Sequence, residues 1–124
     1  MTLETTPTIF SICRLDPDQP IPAWATQSSL YSISRSQDEL SIVCPQSDVP
    51  SGVKCEKDWR SLKVKGPLDF ALTGILASLA SPLAKARISI FAISTFDTDY
   101  ILVKQSDLEQ AVATLTQAGH SVTD

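Results

Sequence analysis

The sequence predicts an α+β fold of two βαββαβ halves, the first degenerate, with a mostly antiparallel sheet and helices packed on one face. Three observations predict it. From residue 57 onward the apolar pattern runs strand, helix, strand, strand, helix, strand, the split-βαβ order of a ferredoxin-like half. Shifting the first candidate hairpin by 60 positions places Ser34 on Ser94, Glu39 on Asp99, Leu40 on Tyr100, Ile42 on Leu102 and Val43 on Val103; a shift of 59 places Gln46-Ser47-Asp48 on Gln105-Ser106-Asp107. Finally, 124 residues make one compact domain or two very small halves sharing a core. The expected division is 1–56 for the degenerate half and 57–124 for the full one.

Each element follows from local pattern. Thr8 to Leu15 alternates as a strand, with Ile9, Ser11 and Cys13 on one face and Phe10, Ile12 and Arg14 on the other. Asp16 to Pro22 is a loop, because its prolines remove donors and fix φ. Ala23 to Ala25 forms about one helical turn after it. Ser29 to Arg35 and Glu39 to Cys44 make a hairpin bent at Ser36-Gln37-Asp38. A polar loop from Pro45 to Val53 leads to a strand from Lys57 to Lys65. In the first half, the proline-rich loop and Pro50-Ser51-Gly52 stand where helices would be.

After Gly66-Pro67, the apolar residues Leu68, Leu72, Ile75, Leu76, Leu79 and Leu83 recur at spacings of three and four and draw one helical stripe. Pro67 suits a helix start, where its missing N–H would be unpaired anyway, and Pro82 marks the predicted end. Ile88 to Ile93 and Tyr100 to Lys104 read as strands joined by the polar cluster Ser94-Thr95-Phe96-Asp97-Thr98-Asp99. Ser106-Asp107-Leu108-Glu109 has the form of a capping box. Leu108, Ala111, Val112 and Leu115 then supply a helical stripe that Gly119 closes, and His120 to Thr123 adds a last short strand.

Composition excludes several functions. A net charge of −4 with ten scattered Lys and Arg residues argues against nucleic acid, which needs clustered positive charge. The apolar stretch from Leu68 to Leu83 is too short and too often interrupted to span a bilayer. The N-terminus lacks the basic and apolar regions of a secretory signal. Three cysteines, Cys13, Cys44 and Cys55, have no metal-like spacing and read as reduced thiols, two of them in strands. These features predict a soluble cytoplasmic protein.

The residues offer little for catalysis. His120 is the single histidine and follows a helix-ending glycine. None of the HxxxH, CxxC, GxSxG or P-loop patterns occurs. Gly66 and Gly74 are too far apart for a phosphate-cradling loop. Asp97 and Asp99 read as turn formers before they read as a metal site. The expectation is no enzyme, no metal and no cofactor.

Ligand binding suits the same residues better. A free amino acid presents a carboxylate and an ammonium on one carbon. The Gly66-to-Gly74 segment supplies a helix start for the anion, and glycine permits close backbone approach. The turn from Thr95 to Asp99 supplies a hydroxyl, an aromatic surface and a carboxylate for the cation.

Taken as a whole, GPLxxxxxGILAxLAxPLAxAxISIFxISTFxTDYILV, residues 66–103, resembles the ACT-domain family, in the branch of paired ACT-like halves that includes the animal cytosolic arginine sensor. The resemblance is strongest over residues 60–122 and looser over 7–59. It implies two ACT-like halves and a ligand site made of Gly74, Ile75 and Leu76 at the helix with Thr95, Phe96 and Asp99 in the turn. Each also has a structural reading: Gly74 as close packing, Thr95 and Asp99 as turn geometry, Phe96 as a plug at a core edge. The resemblance implies a regulatory module that reversibly binds a free amino acid, arginine being the first guess, and signals through an interface. Its expected partners are a second copy of itself and a regulated protein. The alternative is a ligand-free dimerisation scaffold of the same fold.

Overall fold

The computed structural model describes residues 1–66, 68 and 73–124. The strands are β1 (Thr2–Thr5), β2 (Phe10–Leu15), β3 (Ser32–Arg35), β4 (Leu40–Pro45) and β5 (Lys54–Val64), then, after helix α1 (Ile75–Lys85), β6 (Ile90–Ser94) and β7 (Asp99–Lys104), and, after α2 (Leu108–Gln117), β8 (Ser121–Thr123). Single 3-10 turns stand at Ala23–Thr26, Gln46–Asp48 and Gln105–Asp107. The contacts divide the chain into two units, Met1–Pro7 with Arg60–Asp124, and Thr8–Trp59. The fold is α+β and its sheet pairing mostly antiparallel.

In the first unit β7 pairs with β6 and β5, β5 pairs antiparallel with β1, and β1 pairs parallel with β8. The sequence reading has no element at Thr2–Thr5. That strand enters between β5 and β8, which would be neighbours in a simple ferredoxin-like half. The period-2 pattern turns Leu3, Leu62, Val64, Ile101 and Val103 to one side of the strands. The helices cover that side with Leu79, Leu83, Ala111 and Leu115, and all nine side chains are fully buried. Burial of each leucine stabilises by roughly 1.5–3 kcal/mol.

Three expectations for the helices need correction. The first helix begins at Ile75, not after Pro67, because Gly74 takes a left-handed φ of 76° that a helix cannot continue through; Pro67 and residues 69–72 lie outside the described residues. Pro82 does not end this helix but sits inside it, and α1 runs on to Lys85. The capping box at Ser106 does not form. Instead the 3-10 turn Gln105–Asp107 leads directly into α2, with no side-chain capping bond at Lys104 or Asp107.

Both helices end alike. Gly119 at φ 96° follows α2, the N–H of Gly119 donates to the Thr116 carbonyl, and that of His120 donates to Leu115. Arg87 at φ 61° follows α1, with Arg87 N–H donating to Ala84 and Ile88 N–H to Leu83. These are the paired bonds of a Schellman closure.

The second unit pairs β3, β4, β2 and the first part of β5 in an antiparallel run around Cys13, Leu15, Ala25, Leu40, Ile42 and Cys44. The Ser36 hydroxyl closes the predicted hairpin bend by accepting the N–H of Asp38 and Glu39. The repeated Gln-Ser-Asp triplet has one conformation in both copies, a 3-10 turn at the end of a strand. After Gln105–Asp107 a helix follows. After Gln46–Asp48 the chain instead turns through Gly52 at φ 89° and continues into β5.

Candidate functional site

The β6–β7 hairpin supplies one wall of the site. Thr95 N–H donates to the Thr98 carbonyl at 2.8 Å, and the Thr95 hydroxyl donates to the same oxygen at 3.0 Å. That hydroxyl in turn accepts the Thr98 N–H at 3.2 Å. Next to it, the Ser94 hydroxyl donates to Asp99 Oδ1 at 2.6 Å, across the directly paired positions Ser94 and Asp99. The turn is therefore held by its own side chains.

It is also tied to the exit of β5. The buried Thr98 hydroxyl donates to the Val64 carbonyl at 2.6 Å, and Leu68 N–H donates to the Asp97 carbonyl at 2.7 Å. Gly66 makes this approach possible: a Cβ there would lie 3.1 Å from the Asp97 carbonyl oxygen and 3.1 Å from the Leu68 nitrogen. Gly66, not Gly74, is the glycine that close packing requires. A Cβ on Gly74 would meet nothing within 4 Å, so that residue is needed for its left-handed turn into α1.

The other wall is the start of α1. The bond from Ser78 N–H to the Gly74 carbonyl opens the helix, so Ile75, Leu76 and Ala77 have N–H groups with no carbonyl partner inside it. Gly74 contributes no side-chain cap, and the first turn carries no acidic residue. The partial positive charge of this terminus is thus not offset by the helix itself.

Between the walls lies a pocket of about 240 Å³ lined by Leu68, Gly74–Leu76 and Ser94–Asp99. All six residues singled out in the sequence line it. Their surroundings differ, however. The Thr95 hydroxyl is engaged in the turn, while Asp99 is half-buried against Ser94. Phe96 is 80% exposed and plugs no core. Sequence reasoning missed the Ser94–Asp99 bond and the anchoring by Thr98 and Gly66. The polar cluster contained both signals, but not which hydroxyl faced which acceptor. Asp97 and Thr98 also line a second pocket, of about 500 Å³, with Glu4, Lys63, Lys65 and Gly66.

Among the described residues, no three His, Cys, Asp or Glu side chains form a group suited to a metal ion. Nor is any helix there long and apolar enough to cross a membrane.

A family model described as an ACT domain matches residues 54–117, and a second, described as an N-terminal domain, matches 8–52. The human protein named cytosolic arginine sensor for mTORC1 subunit 1 is 41% identical over 58 residues, which are 46% of this chain and only 18% of the sensor. A crystal structure of a protein from Agrobacterium tumefaciens is 41% identical and has a TM-score of 0.94, covering 99% of this chain and 92% of that one. The regulatory subunit of aspartate kinase from Thermus thermophilus shares the fold, with a TM-score of 0.67 at 12% identity over 94% of this chain and 95% of that one.

Proposed function

The chain belongs to the ACT-domain family, and on that premise we propose that it reversibly binds a free amino acid between the start of α1 and the β6–β7 turn. One observation carries the reading: two segments about twenty residues apart in sequence converge on one pocket with opposite electrostatic character. The N–H groups at the start of α1 suit a carboxylate. The Asp99 carboxylate suits an ammonium or guanidinium through a charge-assisted hydrogen bond, and Ser94 holds it in place. Thr95 shapes the turn, and its hydroxyl is not assigned to the ligand. Phe96 offers an aromatic face at the mouth of the pocket.

The name of the human relative makes arginine the first ligand to test. The role is binding and signalling, not turnover. A second copy of the chain is the proposed interface partner, because among the described residues β6 pairs only with β7 and β8 only with β1, and open strand edges invite pairing. The cytosolic relative supports a cytoplasmic setting.

A thermal-shift screen of the standard amino acids tests the reading. Ligand at about 100 times its Kd adds roughly 2.7 kcal/mol to stability, which raises Tm by roughly 8 to 15 °C in a domain of this size. A response confined to one or a few amino acids is expected. A flat response across the set overturns ligand binding and leaves the scaffold reading, for which light scattering should still give a dimer.

A further inference from the structure

We propose that Cys13 and Cys55 form a peroxide-oxidisable dithiol that closes reversibly to a disulfide. The two residues are direct cross-strand partners in the β2–β5 pair. Directly opposed residues of an antiparallel pair have Cα atoms about 4.5–5.5 Å apart, inside the roughly 4.4–6.8 Å range that a disulfide spans. Their sulfurs already meet, with Sγ to Sγ at 2.7 Å. No backbone movement is needed to join them.

The environments of the two thiols assign their roles. Cys13 is 1% exposed, whereas Cys55 is partly accessible. Burial first, and then the hydrogen bond to Cys55, raise the Cys13 thiol well above the ordinary range. Cys55, the more accessible sulfur, is therefore the one that meets an oxidant, and Cys13, buried and in contact with it, is the one that closes the bond. The thiolate is the reactive form. Cys44 is also buried, in the same core, but it pairs with Ser11 across the β2–β4 ladder and not with either partner.

With a hydroperoxide as oxidant, the Cys55 thiolate attacks one peroxide oxygen and the O–O bond breaks. Cys55 becomes a sulfenic acid, and the departing hydroxide takes a solvent proton to become water. The Cys13 sulfur then attacks the sulfenic sulfur. An S–S bond forms, the S–O bond breaks, and the hydroxyl leaves as water with the proton from Cys13. Two electrons pass from the thiol pair to one peroxide, and an added dithiol reverses the change by exchange.

The full chain treated with hydrogen peroxide, then unfolded in an alkylating agent and digested, tests this by peptide mass. The expected product is a single Cys13–Cys55 crosslinked peptide with Cys44 alkylated, and dithiothreitol should restore three alkylatable thiols. Cys44→Ser should form the same crosslink, and Cys55→Ser should abolish it and leave Cys13 alkylated. Cys55 accumulating as sulfinic acid without a crosslink, or a crosslink through Cys44, overturns the proposal. So does the recovery of all three thiols unchanged after peroxide.

Discussion

His120 Nε2 lies 3.3 Å from the backbone carbonyl of Ser78, an oxygen that the α1 ladder cannot satisfy. Its regular partner would be the N–H four residues on, and that residue is Pro82. Proline thus removes an α1 hydrogen bond, and the residue closing α2 replaces it, while the His120 backbone N–H completes the α2 Schellman closure.

A double-mutant cycle should detect this coupling. His120→Ala should lower stability by about 0.5–1.5 kcal/mol in the natural chain, the net worth of one hydrogen bond. In a Pro82→Ala background, where the Ser78 carbonyl regains its helical donor, the same change should cost less, because only the ring's contact with the Met1 ammonium is then lost. Urea unfolding of the four proteins measures both. Equal costs in both backgrounds would mean that the ring contributes nothing through Ser78.

The matched helix ends supply a second prediction. Arg87 holds at φ 61° the position that Gly119 holds at φ 96°. A left-handed residue with a Cβ is disfavoured by roughly 1–2 kcal/mol, and the extra freedom of an unfolded glycine offsets part of this. Arg87→Gly should therefore stabilise by about 0.5–1 kcal/mol and raise Tm by about 2–5 °C. Gly119→Ala should destabilise by a similar amount, since a Cβ there meets no neighbour within 4 Å and the effect is conformational alone. Calorimetric melting of the two variants provides the comparison.

The same chain features show what sequence makes legible. Strand alternation at Ile101/Val103 and Leu62/Val64 and the Leu79/Leu83 spacing report burial directly, so the sheet, both helices and their shared face were readable. The start of α1 was not. The leucine spacing continues back to Leu68, and only the left-handed backbone of Gly74 stops the helix there. Ser106 and Glu109 satisfy the capping pattern, yet the 3-10 turn makes their reciprocal bonds unnecessary. β1 was invisible because Thr-Leu-Glu-Thr is too short to show a period. At the site, composition indicated a polar turn facing a helix start. It did not indicate that Thr95 and Thr98 satisfy each other, or that Ser94 reaches Asp99.

Alkaline pH should weaken the fold through its buried thiols. Burial first, and then the nearby Asp48, push Cys44 up to about 11, and Cys13 is raised further in the same direction. An unfolded thiol ionises near about 8.5. The folded-state value is the higher one, so this contribution is fully present below about pH 8.5 and is lost as pH rises towards about 11. Urea midpoints under reducing conditions should fall across that window. Cys44→Ala, though less stable throughout, should show a shallower fall; an identical slope would remove Cys44 from the account.

Gly66→Ala should disturb the candidate site from outside it. The added methyl group would sit 3.1 Å from backbone atoms on both sides, the Asp97 carbonyl oxygen and the Leu68 nitrogen. Backbone cannot rotate away as a side chain can, so the turn itself must shift. The expected cost is about 1–3 kcal/mol of stability, with weaker binding of whichever amino acid the thermal screen identifies. Wild-type melting temperature and affinity together would place the close approach elsewhere.

Asp99 should matter to binding more than to folding, but its bond from Ser94 dictates the choice of substitution. Asp99→Ala would remove both the charge and the acceptor of the 2.6 Å bond, mixing a binding effect with a loosened hairpin. Asp99→Asn keeps a carbonyl oxygen for the Ser94 hydroxyl and removes only the negative charge. If that charge holds a ligand cation, its loss should cost about 1.5–3 kcal/mol of affinity, roughly tenfold to a hundredfold, with Tm of the unliganded protein within a degree or two of wild type. Asp97 makes the control. Its carbonyl anchors Leu68, but its side chain is exposed, so Asp97→Asn should bind nearly as wild type. Calorimetric titration of both variants decides the matter. Equal affinities for the two, with Asp99→Asn melting lower, would make Asp99 a hairpin residue and move the cation contact elsewhere in the pocket.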